Sequence, residues 1–213
     1  MFKPFLQADA LHRPPPLGAV PDKALRLHAA TDPDRRGVER FVRQVYAARF
    51  GADLRSFAPV LVSLRDGADI VAAAGYRPAA QGPLFLERYL PGPVEALLAP
   101  HHETPPERGR IVEVGHLAAG RPGEGRRLIR LLGPHLEALG FDWVVSTLTE
   151  ELRHLFQRLG VEPIALGAAD AALLGPEAAL WGRYYDHRPA VLAGRLGLAL
   201  QRMRQRADGK GRA

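Results

Sequence analysis

The stretch RIVEVGHLAAGRPGEGRRLIRLLGPHLEAL, residues 110–139, decides the fold of this 213-residue chain. Its first part is apolar and strand-like, its middle is rich in glycine, and its last part has the apolar spacing of a helix. The pattern then repeats, because residues 141–148 predict a strand and Thr149 caps a following helix. That helix ends at Gly160, and residues 161–166 predict a further strand. Alternation of this kind is typical of one mixed α/β domain, with a central sheet flanked by helices.

The residues before this stretch predict a helix and a hairpin. Asp32-Pro33 is a typical helix start, and the helix that it begins ends at Gly51. Two apolar runs on either side of Asp66-Gly67 predict a β-hairpin. The same patterns predict three further elements, which are strands at residues 24–28 and 189–193 and a short helix at residues 93–98.

The composition excludes several classes of function. The chain has no cysteine, which excludes disulfides, cysteine-ligated metals and thiol nucleophiles. Its apolar runs are far shorter than the ~20 residues that span a bilayer. The N-terminus does not predict a secretory signal, so we expect a cytoplasmic protein. His101-His102-Glu103 resembles a metal site, but no further ligand follows at metal-binding spacing, and we expect no metal.

The net charge of +6 is concentrated near the C-terminus. From residue 188 onward there are seven basic residues and one acidic residue, and the rest of the chain is neutral. A neutral body does not predict nucleic-acid binding. Four apolar residues recur at helical spacing in this region, namely Leu192, Leu196, Leu200 and Met203. They predict either a basic amphipathic tail that binds an anionic membrane or an acidic carrier protein, or a terminal helix packed on the domain. We therefore divide the chain into a proline-rich lead-in (1–22), a folded domain (23–195) and this tail (196–213).

Glu113 is a carboxylate inside a predicted strand, between two valines. Such a group either pairs with a buried cation such as Arg77 or acts as a general base with a shifted pKa. Gly115 is a natural position for a β-bulge, which would place Glu113 and His116 on the same side of the sheet. Arg77 follows the hairpin, where it either clamps a carboxylate or phosphate or is a solvated strand end.

The loop at residues 120–125 either binds a pyrophosphate or is a plain turn. Its glycines let backbone amides approach an anion, but it has neither the Gly-Lys-Ser/Thr nor the Gly-x-Gly-x-x-Gly pattern. In the aromatic segment 181–185, Tyr184 either protonates a leaving group or packs in the core. Thr147 and Thr149 either line a cleft beside the Glu113 strand or serve as a strand residue and a helix cap.

The order of these elements resembles the acyl-CoA N-acyltransferase (GNAT-like) fold, which implies a mixed central sheet flanked by helices. In that family a loop of the type Gln/Arg-x-x-Gly-x-Gly/Ala holds the coenzyme A pyrophosphate. Gly123 and Gly125 match its glycines, whereas Gly120 occupies the Gln/Arg position and Arg121 is displaced by one residue. The resemblance therefore implies a coenzyme-binding set made of Leu117, Gly120, Arg121, Gly123, Gly125 and Arg126.

Longer motifs are shared with one bacterial family. They are Tyr46-Ala47, Phe50-Gly51-Ala52, Gly75-Tyr76-Arg77-Pro78-Ala79, Leu84-Phe85-Leu86-Glu87-Arg88-Tyr89-Leu90, Glu113-Val114-Gly115-His116-Leu117-Ala118 and Trp181-Gly182-Arg183-Tyr184-Tyr185. By these motifs the chain is identified as a member of the thermostable hemolysin family over about residues 36–194. That family usually has asparagine where this chain has His116.

The same segments are similar to the acyl-homoserine-lactone synthases, a specialised branch of the fold. Those enzymes have an arginine after the hairpin and a strand glutamate before the acyl site, which Arg77 and Glu113 match. The resemblance implies that Glu113 helps to deprotonate an amine and that Arg77 holds the acceptor or organises the site. With His116 and Tyr184 these residues form the candidate catalytic set.

These resemblances lead to the hypothesis of an N-acyltransferase. An acyl group would pass from acyl-CoA or an acyl-carrier protein to a small amine or amino-acid-like acceptor, with no permanently bound cofactor. The apolar cleft between the Glu113 and Trp143 strands would take the acyl chain, and a strand amide near Leu117 would hold the oxyanion. Two alternatives remain open, which are a membrane-active lytic protein and a protein that binds an acyl ligand without catalysis.

Overall fold

The computed structural model describes residues 24–101 and 104–209, the last three by their backbone alone. The lead-in at residues 1–22, and His102 and Glu103 of the metal-like cluster, lie outside the described residues. The described part holds seven strands: β1 (Arg26–His28), β2 (Val60–Asp66), β3 (Asp69–Pro78), β4 (Ile111–Ala119), β5 (Trp143–Leu148), β6 (Ile164–Ala168) and β7 (Ala190–Arg195). It also holds five α-helices: α1 (Arg35–Phe50), α2 (Val94–Leu98), α3 (Glu124–Ala138), α4 (Glu150–Arg158) and α5 (Leu196–Gly209).

The strands form one mixed sheet in the order β1-β2-β3-β4-β5-β7-β6. Neighbouring strands are antiparallel except β4 and β5, which are parallel. The parallel pairing covers only three residue pairs, from Ile111 opposite Trp143 to Glu113 opposite Val145. Beyond these pairs β4 and β5 make no ladder, so the sheet opens between them. This opening determines where the functional site lies.

Helices and short 3₁₀ segments cover both faces of the sheet. Because alternate residues of a strand face opposite sides, Val112 and Val114 pack with α3 and α5, whereas Ile111 packs on the other face. On that other face lie α1 and α2 together with four of the six 3₁₀ segments of the described residues. Those six are Ala79–Gln81, Phe85–Tyr89, Ala99–His101, Arg108–Arg110, Ala171–Trp181 and Tyr184–His187. Glu113 shares the face of Ile111, so its carboxylate faces the Phe85–Tyr89 segment.

The predicted elements are all present, with shifts of a few residues at their ends. Helix α1 begins at Arg35 and not at Pro33, because Asp32 Oδ1 accepts the N–H of Asp34 at 2.8 Å in a turn before the helix. Gly51 ends α1 with φ of 68°, as predicted. Thr149 caps α4, as predicted, by accepting the N–H of Leu152.

A β-bulge is present one residue beyond its predicted position. Gly75 lies opposite Gly115 and Ala73 opposite Ala118, so that His116 and Leu117 together face a single residue of β3. His116 has φ of 53°, the left-handed region in which residues other than glycine are uncommon. The bulge breaks the alternation of β4 and turns His116 towards the face of Glu113.

Helix α5 packs on the domain, which is the second of the two alternatives raised by its sequence. Leu196 and Leu200 are buried in the main core. Leu200 lies so close to Gly133 of α3 that a Cβ atom at that position would be 2.8 Å from its Cδ2. Arg206 donates to the carbonyl oxygens of Gln157 and Arg158, at 3.0 Å each, where α4 ends. Among the described residues no helix is both long enough and apolar enough to cross a bilayer.

Candidate active site

Three cavities meet at the opening between β4 and β5. The loop cleft, about 400 Å³, lies between the glycine-rich loop, α1 and α4. The aromatic pocket, about 80 Å³, contains Glu113, His116 and Tyr184 on the α1 face of the sheet. The apolar cavity, about 90 Å³, lies on the opposite face between α3, α4 and α5. Leu117 lines all three, so the bulge is a wall that they share.

The loop cleft is lined by the predicted coenzyme-binding loop. Gly123 has φ of 88° and is the N-cap residue of α3, so the free amides of that helix end face the cleft. Arg126 lines the cleft and is exposed to solvent. Arg121 also reaches the cleft, but its guanidinium pairs with Asp66 at 2.8 Å and Asp69 at 3.6 Å on the hairpin. The structure therefore leaves Arg126 freer than Arg121 to meet an anion.

Glu113 lies at the bottom of the aromatic pocket and accepts two backbone hydrogen bonds. Its carboxylate oxygens accept the N–H groups of Phe85 at 2.8 Å and Leu86 at 3.0 Å. Burial raises the pKa of the Glu113 carboxyl, and these two N–H groups and the charge of Arg77 oppose that rise. Of the two alternatives for Glu113, the ion pair with Arg77 is not formed, since backbone amides take its place.

Arg77 lies directly opposite Glu113 across the β3–β4 pairing. It is half-buried and is the next-to-last residue of β3, so both alternatives for this arginine stay open. Its guanidinium makes one long hydrogen bond, 3.4 Å to the carbonyl oxygen of Pro83, and no ion pair with a described residue. Since Arg77 lines the aromatic pocket, most of its N–H groups remain free for an anionic group there.

His116 brings a neutral imidazole into the aromatic pocket. Burial lowers its pKa to about 4, so the ring is uncharged at neutral pH. The carbonyl of Ser56 accepts a hydrogen bond from the imidazole, while Nδ1 is buried without a partner among the described residues. The Phe57 ring lies 5.3 Å from the imidazole, centroid to centroid.

Tyr184 lies where the aromatic pocket and the loop cleft meet. Its hydroxyl donates to the carbonyl oxygen of Thr147 at 3.2 Å, and burial raises its pKa well above the ordinary value. Tyr46 of α1 stacks on it at 6.3 Å and lines the same two cavities. Burial raises the pKa of Tyr46 as well. Tyr46 is the site residue that sequence reasoning missed, because its position on α1 gives only a helical apolar spacing.

A second arrangement of polar groups has the order of a hydrolase triad but lies in the core. Ser63 Oγ is 2.9 Å from His28 Nε2, and His28 Nδ1 is 3.2 Å from an Asp32 carboxylate oxygen. Ser63 is 0% exposed and His28 is 2% exposed, between β1 and β2. No substrate reaches this serine, so the arrangement is structural.

The arrangement at the opening combines what an acyl transfer to an amine requires. A partly buried carboxylate, a protonated phenol and a free guanidinium surround one small pocket. Beside it lie a cleft with helix-end amides and a cavity with almost only apolar walls. The structure thus brings Glu113, Arg77, His116 and Tyr184 together, and it places Arg121 towards the hairpin.

Comparison with known families and structures gives independent findings. The family model described as thermostable hemolysin matches residues 28–200 of the chain. A comparison with curated protein sequences found no match.

Several solved structures have a similar fold. The AHL synthase LasI is 15% identical with a TM-score of 0.57, over 83% of this chain and 93% of that one. FeeM, an N-acyl amino acid synthase from uncultured soil microbes, is 18% identical with a TM-score of 0.56, over 83% and 92%. BjaI, a CoA-dependent acyl-homoserine lactone synthase solved with SAM and isopentyl-CoA, is 11% identical with a TM-score of 0.55, over 86% and 89%. The likeness confirms the predicted GNAT-like fold.

Proposed function

The chain belongs to the thermostable hemolysin family, and from that premise we propose that it is an N-acyltransferase that moves an acyl group from a thioester donor to a small amine. The proposal rests on one observation, which is that three cavities of different chemistry meet at Leu117. Each cavity suits one part of such a reaction. We place the reaction in the cytoplasm, where acyl thioesters are made.

The loop cleft takes the phosphate-bearing arm of the donor. Free amides at the start of α3 and the exposed guanidinium of Arg126 suit a phosphate group. This arm is present both in coenzyme A and in the prosthetic group of an acyl-carrier protein, so either donor fits the cleft. The unpaired backbone of β4 near Leu117 lies where the thioester reaches the opening, and an amide there holds the oxyanion.

The apolar cavity takes the acyl chain. Its walls are side chains of α3, α5, β5 and β7, and nearly all of the lining surface is apolar. Because Leu117 and Val114 also line the aromatic pocket, a chain that enters the cavity keeps its carbonyl carbon near Glu113. The cavity is therefore the part of the site that selects the length of the acyl group.

The aromatic pocket takes the amine and carries out the proton transfers. Glu113, directly or through a water molecule, accepts a proton from the ammonium group, and the free amine attacks the thioester carbonyl carbon. A C–N bond forms, the tetrahedral intermediate collapses with cleavage of the C–S bond, and the nitrogen loses its second proton, which restores the proton that Tyr184 gives up. Tyr184 donates its proton to the departing thiolate. Because burial raises the pKa of this phenol, it carries its proton at neutral pH.

The absence of cysteine makes the test direct. A thiol-reactive dye detects only the released coenzyme A or carrier thiol, because the protein itself contributes no thiol. Acyl-CoAs and acyl-carrier proteins of several chain lengths are combined with single amines and amino acids. The expected result is thiol release that depends on both donor and amine, with the acylated amine found by mass spectrometry.

A matched pair of variants controls this assay. Leu117→Phe fills the junction of the three cavities and is expected to lower transfer, whereas Leu173→Ala changes an exposed side chain, 56% accessible, and leaves the rate unchanged. Thiol release that does not require an amine, or that is the same in Leu117→Phe, argues against the proposal.

A further inference from the structure

The apolar cavity has one polar side chain in its wall, that of Ser146. None of the other described residues that line the cavity has a hydroxyl, amide or charged side chain. Alternate residues of a strand face opposite sides, so Ser146 shares the cavity face of β5 with Val144 and Leu148. A wall that only had to hold a plain hydrocarbon chain would gain from an apolar residue at this position.

The hydroxyl of Ser146 is buried, has no partner and can still be reached. The residue is 5% exposed, and its hydroxyl forms no hydrogen bond with any described residue. Its oxygen keeps accessible surface, whereas Oγ1 of Thr147, on the opposite face of β5, is fully enclosed. A buried hydroxyl without a partner costs free energy. A group that enters the cavity can therefore supply the hydrogen bond that the protein does not.

Ser146 lies at the level where β4 and β5 part. The last parallel pair joins Glu113 to Val145, and Ser146 follows about 3.3 Å further along β5. The residue of β4 at the same level is Val114, which lines both the aromatic pocket and the apolar cavity. The hydroxyl thus lies where an acyl chain passes from the reaction centre into the cavity. It meets the first carbon atoms of the chain.

The chemistry of acyl chains restricts which oxygen this hydroxyl meets. Condensation of two acyl thioesters places an oxygen on carbon 3, the second carbon beyond the thioester carbonyl, first as a keto group and after reduction as a hydroxyl. A serine hydroxyl donates to a keto oxygen, and it donates to or accepts from a hydroxyl group. Both forms satisfy Ser146, whereas a plain methylene group leaves it without a partner.

From the single hydroxyl in the cavity wall, its accessible and unpartnered oxygen and its level at the opening, we infer that the donor is an acyl thioester with an oxygen on carbon 3, which the Ser146 hydroxyl binds. This inference rests on the proposed N-acyltransferase function and names the class of its donor. The oxygen on carbon 3 takes no part in bond making or breaking. Its hydrogen bond fixes the depth of the chain, and with it the position of the thioester carbonyl.

The test compares donors of equal chain length in the thiol-release assay. Octanoyl, 3-oxooctanoyl, 3-hydroxyoctanoyl and 8-hydroxyoctanoyl thioesters are used, each on coenzyme A and on an acyl-carrier protein. We expect kcat/KM with at least one 3-substituted donor to be about 10-fold higher than with octanoyl, the effect of one buried hydrogen bond. The 8-hydroxy donor places its oxygen at the far end of the chain and is expected to react more slowly than octanoyl. Equal values for octanoyl and both 3-substituted donors, or the highest value for the 8-hydroxy donor, overturn the inference and leave the proposed function standing.

Two variants of Ser146 assign the preference to its hydroxyl. In Ser146→Ala the ratio of kcat/KM between the preferred 3-substituted donor and octanoyl is expected to fall to about 1, because the hydrogen bond is lost. Ser146→Thr keeps a hydroxyl and is expected to keep a ratio well above 1. The ratio is measured within each variant, so a loss of folded protein does not change it. A ratio in Ser146→Ala equal to that of the wild type contradicts the assignment.

A binding measurement covers the outcome in which no amine releases thiol and the proposed function fails. The same donors are titrated without an amine in a calorimeter. The Kd of a 3-substituted donor is expected to be about 10-fold lower than that of the octanoyl donor, and Ser146→Ala is expected to remove the difference. Equal Kd values, or no binding of any of these donors, overturn the inference.

Discussion

Glu113 holds the main chain at Phe85 and Leu86 and faces the aromatic pocket at the same time. Glutamine in its place offers one acceptor oxygen, and its NH₂ group faces an N–H donor. We therefore expect Glu113→Gln to abolish transfer and also to lower the free energy of unfolding by about 1–3 kcal/mol, the cost of a buried group left unsatisfied. Urea denaturation and the thiol-release rate of the folded fraction measure the two effects.

Glu87 provides the matched control for this substitution. Its carboxylate accepts the N–H groups of Leu84 and Val94 and pairs with Arg108 at 2.7 Å, and these contacts lower its pKa to about 2 against the effect of burial. Glu87→Gln is expected to destabilise the protein as well, but to leave the rate of the folded protein near that of the wild type. If both variants lose activity in proportion to stability, Glu113 is a structural residue only.

We expect Tyr184 to contribute to kcat through its hydroxyl group. Tyr184→Phe keeps the packing against Tyr46 and removes the proposed proton donor, so kcat is expected to fall about 100-fold, within the usual range for general acids. Tyr185→Phe is the control, because the Tyr185 hydroxyl bonds to that of Tyr89 at 2.6 Å outside the proposed reaction. Initial rates of thiol release with a saturating amine measure the difference. An unchanged kcat in Tyr184→Phe would assign the proton to another group, for which Tyr46→Phe is the next variant.

For single residues, the sequence predicts which residue types occupy the site better than it predicts their hydrogen-bond and ion-pair partners. The strand position of Glu113 follows from the apolar residues around it and is present in the structure, whereas its register opposite Arg77 was not predicted. Its two amide partners could not be predicted, because they belong to a 3₁₀ turn that has no apolar period. The ion pairs of Arg121 with Asp66 and Asp69 could not be predicted either, because they depend on how the hairpin lies against the loop.

At the scale of elements, α5 is a wall of the apolar cavity as well as a packed helix. Leu196, Ala199 and Met203 line the cavity, and Leu200 packs beside Gly133. Leu200→Ala is expected to lower the free energy of unfolding by about 2–5 kcal/mol, the usual cost of such a cavity in a core. Arg204→Ala, an exposed residue of the same helix, is the control and is expected to change stability by less than about 0.5 kcal/mol. Chemical denaturation measures both. Equal stability of the two variants contradicts the packed position of α5.

The amphipathic spacing of α5 predicted a helix correctly but left its partner open. An apolar stripe beside basic residues fits both a bilayer surface and a protein core. The choice depends on α3, where Gly133 leaves the space that Leu200 fills, and on α4, whose last carbonyls accept the Arg206 guanidinium. Such a contact between elements distant in sequence has no local signal. The bulge at His116 did have one, because a glycine within an apolar strand marks a break in the ladder.

At the scale of the whole molecule, three histidines couple stability to pH. Burial lowers the pKa of His28, His116 and His135 below the ordinary value of 6.5, to about 4 for His116. In the unfolded chain these histidines become protonated near pH 6.5, whereas in the folded protein they become protonated only at a lower pH. Between these values the unfolded state binds more protons, so stability falls as the pH is lowered from about 6.5 towards 4.

The size of this effect makes it measurable. For His116 alone, the pKa is 6.5 in the unfolded chain and about 4 in the folded protein. This difference corresponds to a change in the free energy of unfolding on the order of 3 kcal/mol. We expect the urea midpoint to fall steadily between pH 7 and pH 4.5, and His116→Asn to flatten that slope. Asparagine also suits the left-handed backbone at this position, where φ is 53°. An equal slope in the variant would assign the coupling to His28 and His135.

The three-pair seam between β4 and β5 divides the sheet into two antiparallel halves, β1–β4 and β5–β7. Hydrogen bonds are dense within each half and sparse between them, so the seam is the line along which the molecule can open without unfolding either half. Among residues 111–113 and 143–145, the amide hydrogens that are donated across the seam should therefore exchange faster than those of β2 and β3. A thioester lying across the seam would tie the halves together, and the protein would then be most rigid while it carries its donor.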